Sequence, residues 1–218
     1  MNDRNTRFKQ LYSQTLEHFV SSPHYVIGVG SIGGSVLKGL CQIGVNEVTI
    51  VDFDLVEEAN LGPQGFEDHQ IGLLKTLARK EQFEKLSPST NIELRSRRFK
   101  KSDEYKPNAY WWLMVDSLKT REIIFNVAVK HNYHRILDCR MAGIVFETYC
   151  ISKPEHEIIY ESQLKWAQEN PLNEGCSSKS TPFVPMIAAG TALGMALGMN
   201  SPFKVASDLL SYQSTVEY

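Results

Sequence analysis

Three glycines at fixed spacing are the first residues of the chain whose arrangement could do chemistry. Gly28, Gly30 and Gly33 form a G-x-G-x-x-G pattern after the apolar run at 25–27 and before a stretch with helical spacing. The first glycine of such a loop permits a tight turn, the second lets the backbone approach a phosphate, and the third lets helix and strand pack closely. The N–H groups at the helix start attract an anion. The loop therefore predicts a nucleotide site, although a glycine-rich turn without a ligand would share the pattern.

A carboxylate stands where such a site needs one. Asp52 ends the next predicted strand, 47–52, and an acidic residue there can accept a hydrogen bond from a ribose hydroxyl. This combination suits an NAD site as well as an ATP site, so the glycine loop and Asp52 alone do not separate a dehydrogenase from an ATP-using enzyme.

The next stretch resembles a family signature. Its residues are Asp52, Asp54, Asn60, Leu61 and Gln64, followed by Ile71, Gly72 and Lys75. They resemble the pattern D-x-D-x-V-x-x-x-N-L-x-R-Q and then D-I-G-x-x-K of the ThiF/MoeB/HesA family of ubiquitin-activating-type adenylating enzymes. A dinucleotide dehydrogenase does not carry this pattern. The likeness is strongest over 26–75, and the short chain resembles the minimal bacterial-type members.

Weaker likenesses extend over about residues 4–199. They are Asp116 to Arg121, Arg140 to Gly143, Cys176 with Thr181 and Pro185, and Arg4 to Arg7. In family dimers the last element reaches the ATP site of the partner subunit. The resemblance therefore implies a homodimer.

The resemblance implies ATP-dependent adenylation of the C-terminal carboxylate of a ubiquitin-like or sulfur-carrier protein that ends in glycine, with release of pyrophosphate. The cofactors implied are ATP and Mg²⁺. Three other functions stay open: adenylation of another carboxylate, a catalytically silent scaffold subunit, and an NAD-dependent oxidoreductase, against which the segment 60–75 argues.

The resemblance also implies roles for single residues. Asp116 would bind Mg²⁺, Lys75 would place a charge on the phosphates, and Asn60 and Gln64 would donate amide hydrogen bonds to them. Asp52 would hold the ribose, and Asp54 would support the turn. Arg121 would lie near the nucleotide, and Arg7 would arrive from a second subunit. Simpler interpretations exist for several of them. Asp116 could cap a helix, Lys75 could lie on a solvated helix face, Asn60 could be a turn residue, and Arg7 could be an exposed terminal charge.

One position departs from the family pattern. Pro63 stands where the family has an arginine that contacts the phosphates. Either another arginine fills that space, with Arg140 and Arg121 as candidates, or activity is weak or lost, or the alignment is shifted here.

A second question concerns Cys176. It lies in a polar stretch, with Lys179 nearby, where a thiolate would be favoured. It is either the nucleophile that takes the acyl group as a thioester or an incidental loop cysteine. The other three cysteines, Cys41, Cys139 and Cys150, sit in apolar runs typical of a core.

The composition fits one cytoplasmic domain. The 218 residues are 42% hydrophobic and carry a net charge of -2, so there is no basic excess to favour nucleic acid. Residues 1–20 do not read as a signal peptide, and the longest apolar stretch, 184–199, is shorter than the roughly 20 residues that a membrane span needs.

Periodicity predicts the elements that must position these residues. We expect helices at 3–20 (an N-terminal helical region within 1–22), 31–43, 68–86, 121–131 and 185–199, strands at 25–27, 47–52, 91–99, 111–116, 135–138 and 144–152, and a loop at 166–184 that carries Cys176. The predicted fold is a Rossmann-like α/β domain: a mostly parallel sheet flanked by helices, with an antiparallel C-terminal extension of the sheet.

Overall fold

A computed structural model describes most of the chain. The described residues are 10–12, 15–170, 181–198, 201–209 and 213–218. Arg7 and Cys176 lie outside these ranges.

Eight strands within the described ranges form one sheet. They are β1 His24–Ile27, β2 Glu47–Val51, β3 Asn91–Arg95, β4 Tyr110–Leu113, β5 Arg135–Ala142, β6 Val145–Ile151, β7 Lys204–Asp208 and β8 Gln213–Glu217. Their order is β3-β2-β1-β4-β5-β6-β7-β8, with parallel pairing from β3 to β5 and antiparallel pairing from β5 to β8. The predicted fold class is confirmed.

Helices cover the two faces of the sheet. They are α1 Leu16–Ser21, α2 Ser31–Ile43, α3 Leu61–Gln64, α4 Lys75–Glu84, α5 Leu118–Lys130, α6 Pro154–Glu169 and α7 Val184–Leu197, with 3-10 turns at Glu58–Asn60 and Asp68–Gln70. None of the described helices is long and apolar enough to cross a membrane.

Two apolar cores lie on opposite sides of the sheet. Trp112 packs with α1, α2 and α7 on one side, and Trp111 packs with α5 and α6 on the other. Successive side chains of a strand point to opposite faces, so neighbouring tryptophans can serve both cores. Both are fully buried. This double burial explains why the central parallel strands read as continuous apolar runs.

The helix predicted at 68–86 is shorter than expected. Residues 68–70 form a 3-10 turn, Gly72 has a positive φ of 84°, and Leu74 is extended and bridges Leu55. A helix cannot pass through these conformations, so α4 begins at Lys75. Lys75 thereby becomes the first residue of a helix, immediately after the bridge.

Other expectations also need correction. The predicted loop at 166–184 overlaps α6, which runs to Glu169, and the predicted strands at 91–99 and 111–116 end at Arg95 and Leu113. The exposed apolar side chains Ile158, Ile159 and Trp166 blur the helical pattern of α6. Within the predicted N-terminal helix, residues 10–12 are helical and α1 begins after a turn at Thr15.

A candidate nucleotide site at the carboxyl ends of the strands

A cavity opens where the strand order reverses. It has a volume of about 630 Å³ and lies at the carboxyl ends of β1, β2 and β4. Open α/β sheets bind their ligands at such a switch point. The cavity is lined by most of the predicted site residues: Gly28, Gly30, Asp52, Asp54, Gln64, Lys75, Asp116 and Arg121.

The glycine loop is shaped by close backbone contacts. Gly28 has a φ of +88°, and a Cβ there would lie 2.5 Å from the carbonyl oxygen of Met114. A Cβ on Gly33 would lie 1.9 Å from the carbonyl oxygen of Gly28, although Gly33 itself does not line the cavity. The positive φ of Gly28 agrees with its predicted role in a tight turn, and the close approach at Gly33 agrees with its predicted role in packing.

Asp52 braces the glycine loop from the next strand. Its Oδ2 accepts a hydrogen bond from the Val29 amide at 2.8 Å, and its Oδ1 accepts one from the Asp54 amide at 2.9 Å. A carboxylate offers about four acceptor sites. Asp52 can therefore hold the loop and still accept a ribose hydroxyl, and the ribose role stays a prediction.

Lys75 and Asp54 form an ion pair at the cavity. The Lys75 Nζ lies 3.1 Å from the Asp54 Oδ2, and the Lys75 amide donates to the Asp54 carbonyl at 2.9 Å. The Lys75 side chain is only 9% exposed. The interpretation of Lys75 as part of a solvated helix face therefore does not apply, and Asp54 acquires a definite task in orienting this cation.

Asp116 follows β4 with its carboxylate exposed. The cap of α5 is the next residue, Ser117, whose hydroxyl accepts from the Thr120 amide at 3.2 Å. Asp116 is thus not used as the helix cap. Arg121 fixes the adjoining backbone, since its guanidinium donates to the carbonyl oxygens of Leu113 and Val115.

Asp138 accepts hydrogen bonds from Arg121 and Arg140, the two arginines that were considered as replacements for the family arginine at position 63. It is fully buried, and it accepts from Arg121, from the Arg140 Nε at 2.9 Å and from the Tyr160 hydroxyl at 2.7 Å. The Arg140 guanidinium lies 4.7 Å from the centroid of the Tyr149 ring. Arg140 is absent from the cavity lining, so its position does not fill the space expected at Pro63.

The two predicted amides differ in their surroundings. The Asn60 Oδ1 accepts from the Glu57 amide at 3.0 Å and completes a capping box, and Asn60 does not line the cavity. In contrast, Gln64 lines the cavity, and its buried Oε1 has no hydrogen-bond partner among the described residues. A side-chain amide can present either its oxygen or its NH₂ group. Gln64 is therefore the amide with capacity left for a ligand.

Arg79 contacts the glycine loop from outside the cavity lining, and the sequence did not reveal these contacts. It is buried behind the glycine loop and donates to the carbonyl oxygens of Val29, Gly30 and Gln64. Backbone carbonyls occur at every residue and leave no mark in a sequence, so no pattern identified these contacts.

A second cavity, of about 710 Å³, lies away from the glycine loop, against β1, β2 and β3. Its charged groups neutralise one another. The Lys106 Nζ lies 2.7 Å from the Glu47 carboxylate, and Arg95 pairs with Glu93 and Asp103. Although it is larger, this cavity has no anion-binding loop, and we assign the candidate site to the smaller one.

The residues present fit Mg²⁺ only as a companion of a nucleotide. Over the described ranges, no group of three or more His, Cys, Asp or Glu side chains could hold a metal ion. Mg²⁺ commonly takes one or two carboxylates and completes its shell with phosphate oxygens and water. The exposed carboxylate of Asp116 suits that mode of binding.

The fold and this site define a Rossmann-like α/β protein with a glycine loop at its switch point. The chain belongs to the ThiF family, whose family model matches residues 2–214.

Two curated relatives match parts of the chain. Adenylyltransferase and sulfurtransferase UBA4 of Saccharomyces cerevisiae is 34% identical over 108 residues, which are 48% of this chain and 24% of that protein. Ubiquitin-like modifier-activating enzyme 5 of Xenopus laevis is 32% identical over 69 residues, 32% of this chain and 17% of that protein. These matches therefore span about a quarter or less of the relatives' length.

Solved structures match the whole fold. The structure of E. coli MccB with AMPCPP and MccA has a TM-score of 0.76 at 14% identity, covering 99% of this chain and 71% of that one. The structure of PaaA has a TM-score of 0.72 at 15% identity, covering 98% and 72%. At these identities the likeness establishes the fold alone.

Proposed function

We propose that this protein uses ATP to adenylate a carboxylate of a protein or peptide partner and releases pyrophosphate. The observation that carries the proposal is the meeting of the glycine loop, Lys75 and the exposed carboxylate of Asp116 around one cavity. The names of the relatives support it, since one is an adenylyltransferase and the other activates a ubiquitin-like modifier. The fold shared with MccB, solved with AMPCPP and MccA, supports it further.

The reaction needs two anions held together. An oxygen of the partner's carboxylate attacks the α-phosphorus, the bond from that phosphorus to the bridging oxygen breaks, and pyrophosphate leaves. The chain's own contribution is to orient the reactants and to stabilise the charge that moves onto the leaving group. The loop amides and Lys75 would hold the phosphates, and Gln64 would donate a hydrogen bond beside them.

Asp116 would hold Mg²⁺ together with phosphate oxygens. The metal ion would neutralise phosphate charge and stabilise the leaving oxygen. Asp52, at the other strand end, would keep the ribose in place.

The identity of the partner is a finer part of the proposal. We propose a ubiquitin-like or sulfur-carrier protein ending in glycine, because a tail without side chains can enter a narrow cavity and adopt any backbone conformation. Cys176 would then take the acyl group from AMP as a thioester. An adduct that thiols release, formed with ATP and partner and lost in Cys176→Ser, is the expected result. Its persistence in that variant would remove Cys176 from the pathway.

We also propose a homodimer in which Arg7 of one subunit completes the ATP site of the other. Mixing Arg7→Ala subunits with Asp116→Asn subunits would then restore part of the activity, because one site in each mixed dimer has both native residues. No recovery after exchange of subunits would contradict this arrangement.

We place the dimer in the cytoplasm, where the buried thiols of Cys41, Cys139 and Cys150 would stay reduced.

The decisive experiment is ATP–pyrophosphate exchange with a panel of partners. The panel contains small proteins ending in Gly-Gly and short peptides. The variants are Asp116→Asn and, as a matched control, Asp68→Asn, which changes an exposed residue of the turn at 68–70. We expect exchange with one class of partner, lost in Asp116→Asn and kept in Asp68→Asn. Equal exchange in both variants would contradict the role of Asp116.

A second candidate function rests on Pro63. A subunit without the phosphate-contacting arginine of the family could be a silent scaffold that pairs with an active homologue. ATP binding without exchange for any partner in the panel would favour this alternative.

A further inference from the structure

Arg79 carries a buried positive charge whose hydrogen-bond partners are all neutral. Its Nε donates to the Val29 carbonyl at 3.0 Å, its Nη2 to the Gly30 carbonyl at 3.0 Å and to the Gln64 carbonyl at 2.6 Å, and its Nη1 to the Gln82 Oε1 at 2.8 Å. The residue is 2% exposed. Burying a charge is costly unless an opposite charge accompanies it.

The protein supplies no such countercharge by direct contact. None of the ion pairs among the described residues includes Arg79, and the face of its guanidinium lies over the Phe66 ring, 3.8 Å from the ring centroid. Burial lowers the pKa of Arg79 to about 9, and Asp52 acts on it only at longer range. A cation kept in this position, beside an anion-binding loop, lacks an anion.

A glycine of α2, Gly34, leaves the space that this guanidinium occupies. A Cβ on Gly34 would lie 2.3 Å from the Arg79 Nη2 and 2.5 Å from its Cζ. Only the absence of a side chain at Gly34 leaves room for the guanidinium against the first turn of the helix. The fit requires both residues, so Arg79 is not a surface arginine that happens to fold inward.

The hydrogen bonds of Arg79 orient the loop toward the cavity. In a trans peptide the C=O and N–H groups point in opposite directions. Because Arg79 holds the carbonyls of Val29 and Gly30, the amides of Gly30 and Ser31 point away from it, and both of these residues line the cavity. The bond to the Gln64 carbonyl also fixes the residue whose side chain lies over Gly30.

We propose that Arg79 is a positioning residue for the nucleotide phosphates, acting through the glycine loop and Gln64, and that it supplies the positive charge absent at Pro63. Gln64 is the neighbour of Pro63, so the charge reaches the same short helix α3 from behind. The phosphates are in turn the missing countercharge. This inference rests on the proposed function only in that the ligand is ATP.

The test compares ligands that differ in phosphate charge. Dissociation constants of ATP, AMP and adenosine are measured by calorimetry for the wild type, Arg79→Met, Arg79→Lys and the control Lys80→Met on the same helix. We expect Arg79→Met to weaken ATP binding roughly tenfold or more, AMP less, and adenosine little, because a lost charge acts in proportion to ligand charge. Arg79→Lys should keep most of the preference for ATP over adenosine.

An equal loss for all three ligands in Arg79→Met would overturn the proposal, since a purely structural role would damage the pocket uniformly. If Arg79→Met does not fold, the same dissociation constants are measured for Gly34→Ala, because this variant displaces the guanidinium while keeping its charge. A reduced ratio of ATP to adenosine affinity in Gly34→Ala supports the proposal, and an unchanged ratio overturns it. ATP binding by the wild type without pyrophosphate exchange would remove the proposed reaction and leave this inference standing.

Discussion

At the scale of single residues, the ion pair of Lys75 with Asp54 determines where a positive charge lies in the cavity. The pair is 3.1 Å long and nearly shielded from water on the lysine side. Removing a group that stabilises charge in a transition state commonly lowers kcat by about 10²–10³. We expect Lys75→Met to slow ATP–pyrophosphate exchange about 100-fold, and Asp54→Asn to slow it less because the charge remains.

The control for this prediction is Lys85→Met, at the exposed end of the same helix. A rate for Lys75→Met equal to that of Lys85→Met would show that the cation at 75 does not act on the phosphates.

Which residues could be predicted depends on what they contact. Gly28 follows a predicted strand, Asp52 and Asp116 end predicted strands, and family spacing singled out Lys75 within a predicted helix. The parallel sheet brings these strand ends together. Arg79 could not be predicted, because three of its four partners are backbone carbonyls from segments 15 to 50 residues away. Arg140 was a candidate on sequence position, but its place on β5 points it toward Asp138.

At the scale of elements, His24 links β1 to α1 and β4. Its Nε2 faces the Phe19 carbonyl at 2.8 Å, and its Nδ1 accepts from the Trp112 indole at 3.2 Å. The pKa of His24 is lowered from 6.5 to about 4, mainly by burial and to a smaller extent by neighbouring His134 and His18, although the hydrogen bond to the Phe19 carbonyl raises it. Between pH 6.5 and about 4, the His24 ring is therefore mostly neutral in the folded chain and mostly protonated in the unfolded chain.

This difference makes stability depend on pH with a definite sign. Below pH 6.5 the unfolded chain binds a proton that the folded chain does not, so the free energy of unfolding falls as the pH drops from 6.5 to about 4. One such group contributes a slope of at most about 1.4 kcal/mol per pH unit. Urea unfolding between pH 6 and 4.5 should show a shallower slope in His24→Gln. A slope in His24→Gln equal to that of the wild type would contradict the prediction.

The glycines of α2 and α7 predict opposite effects of the same substitution. Gly33→Ala places a methyl group 1.9 Å from the Gly28 carbonyl, so the loop must move. In Gly190→Ala the new methyl group meets nothing within 4 Å on an exposed helix face. We expect Gly33→Ala to destroy ATP binding and lower the free energy of unfolding. Gly190→Ala should raise that energy by up to about 1 kcal/mol. Retained ATP binding in Gly33→Ala would contradict the geometry of the loop.

The elements around the glycine loop were predictable because local signals agree there. β1, α2 and β2 are apolar segments separated by Gly28, Gly30 and Gly44, and α2 ends at Ile43 as expected. The start of α4 was not predictable, because the bridge from Leu74 to Leu55 is a contact across 19 residues. The helix α6 was not predictable for a different reason, since its exposed apolar residues obscure the helical periodicity.

At the scale of the whole molecule, ligand binding should be visible as thermal stability. A ligand that binds only the folded state stabilises it by about 2.7 kcal/mol at a concentration 100 times its Kd. For a chain of this size that corresponds to a rise in Tm of roughly 5–10 °C. We expect ATP to produce this rise and NAD to produce none. A rise with NAD alone would favour the oxidoreductase alternative.

During translation, the pairing of β1 with β4 is delayed until the residues between the two strands have been made. His24 lies opposite Tyr110, so the second neighbour of β1 is encoded 86 residues after it. At about 5–20 residues per second, a ribosome needs roughly 4–17 s to cover that interval. Until β4 is made, the edge of β1 that pairs with β4 has no partner strand, and the apolar Val26 and Ile27 lie on this strand. A chaperone that binds extended apolar segments would therefore meet β1 before β4 does.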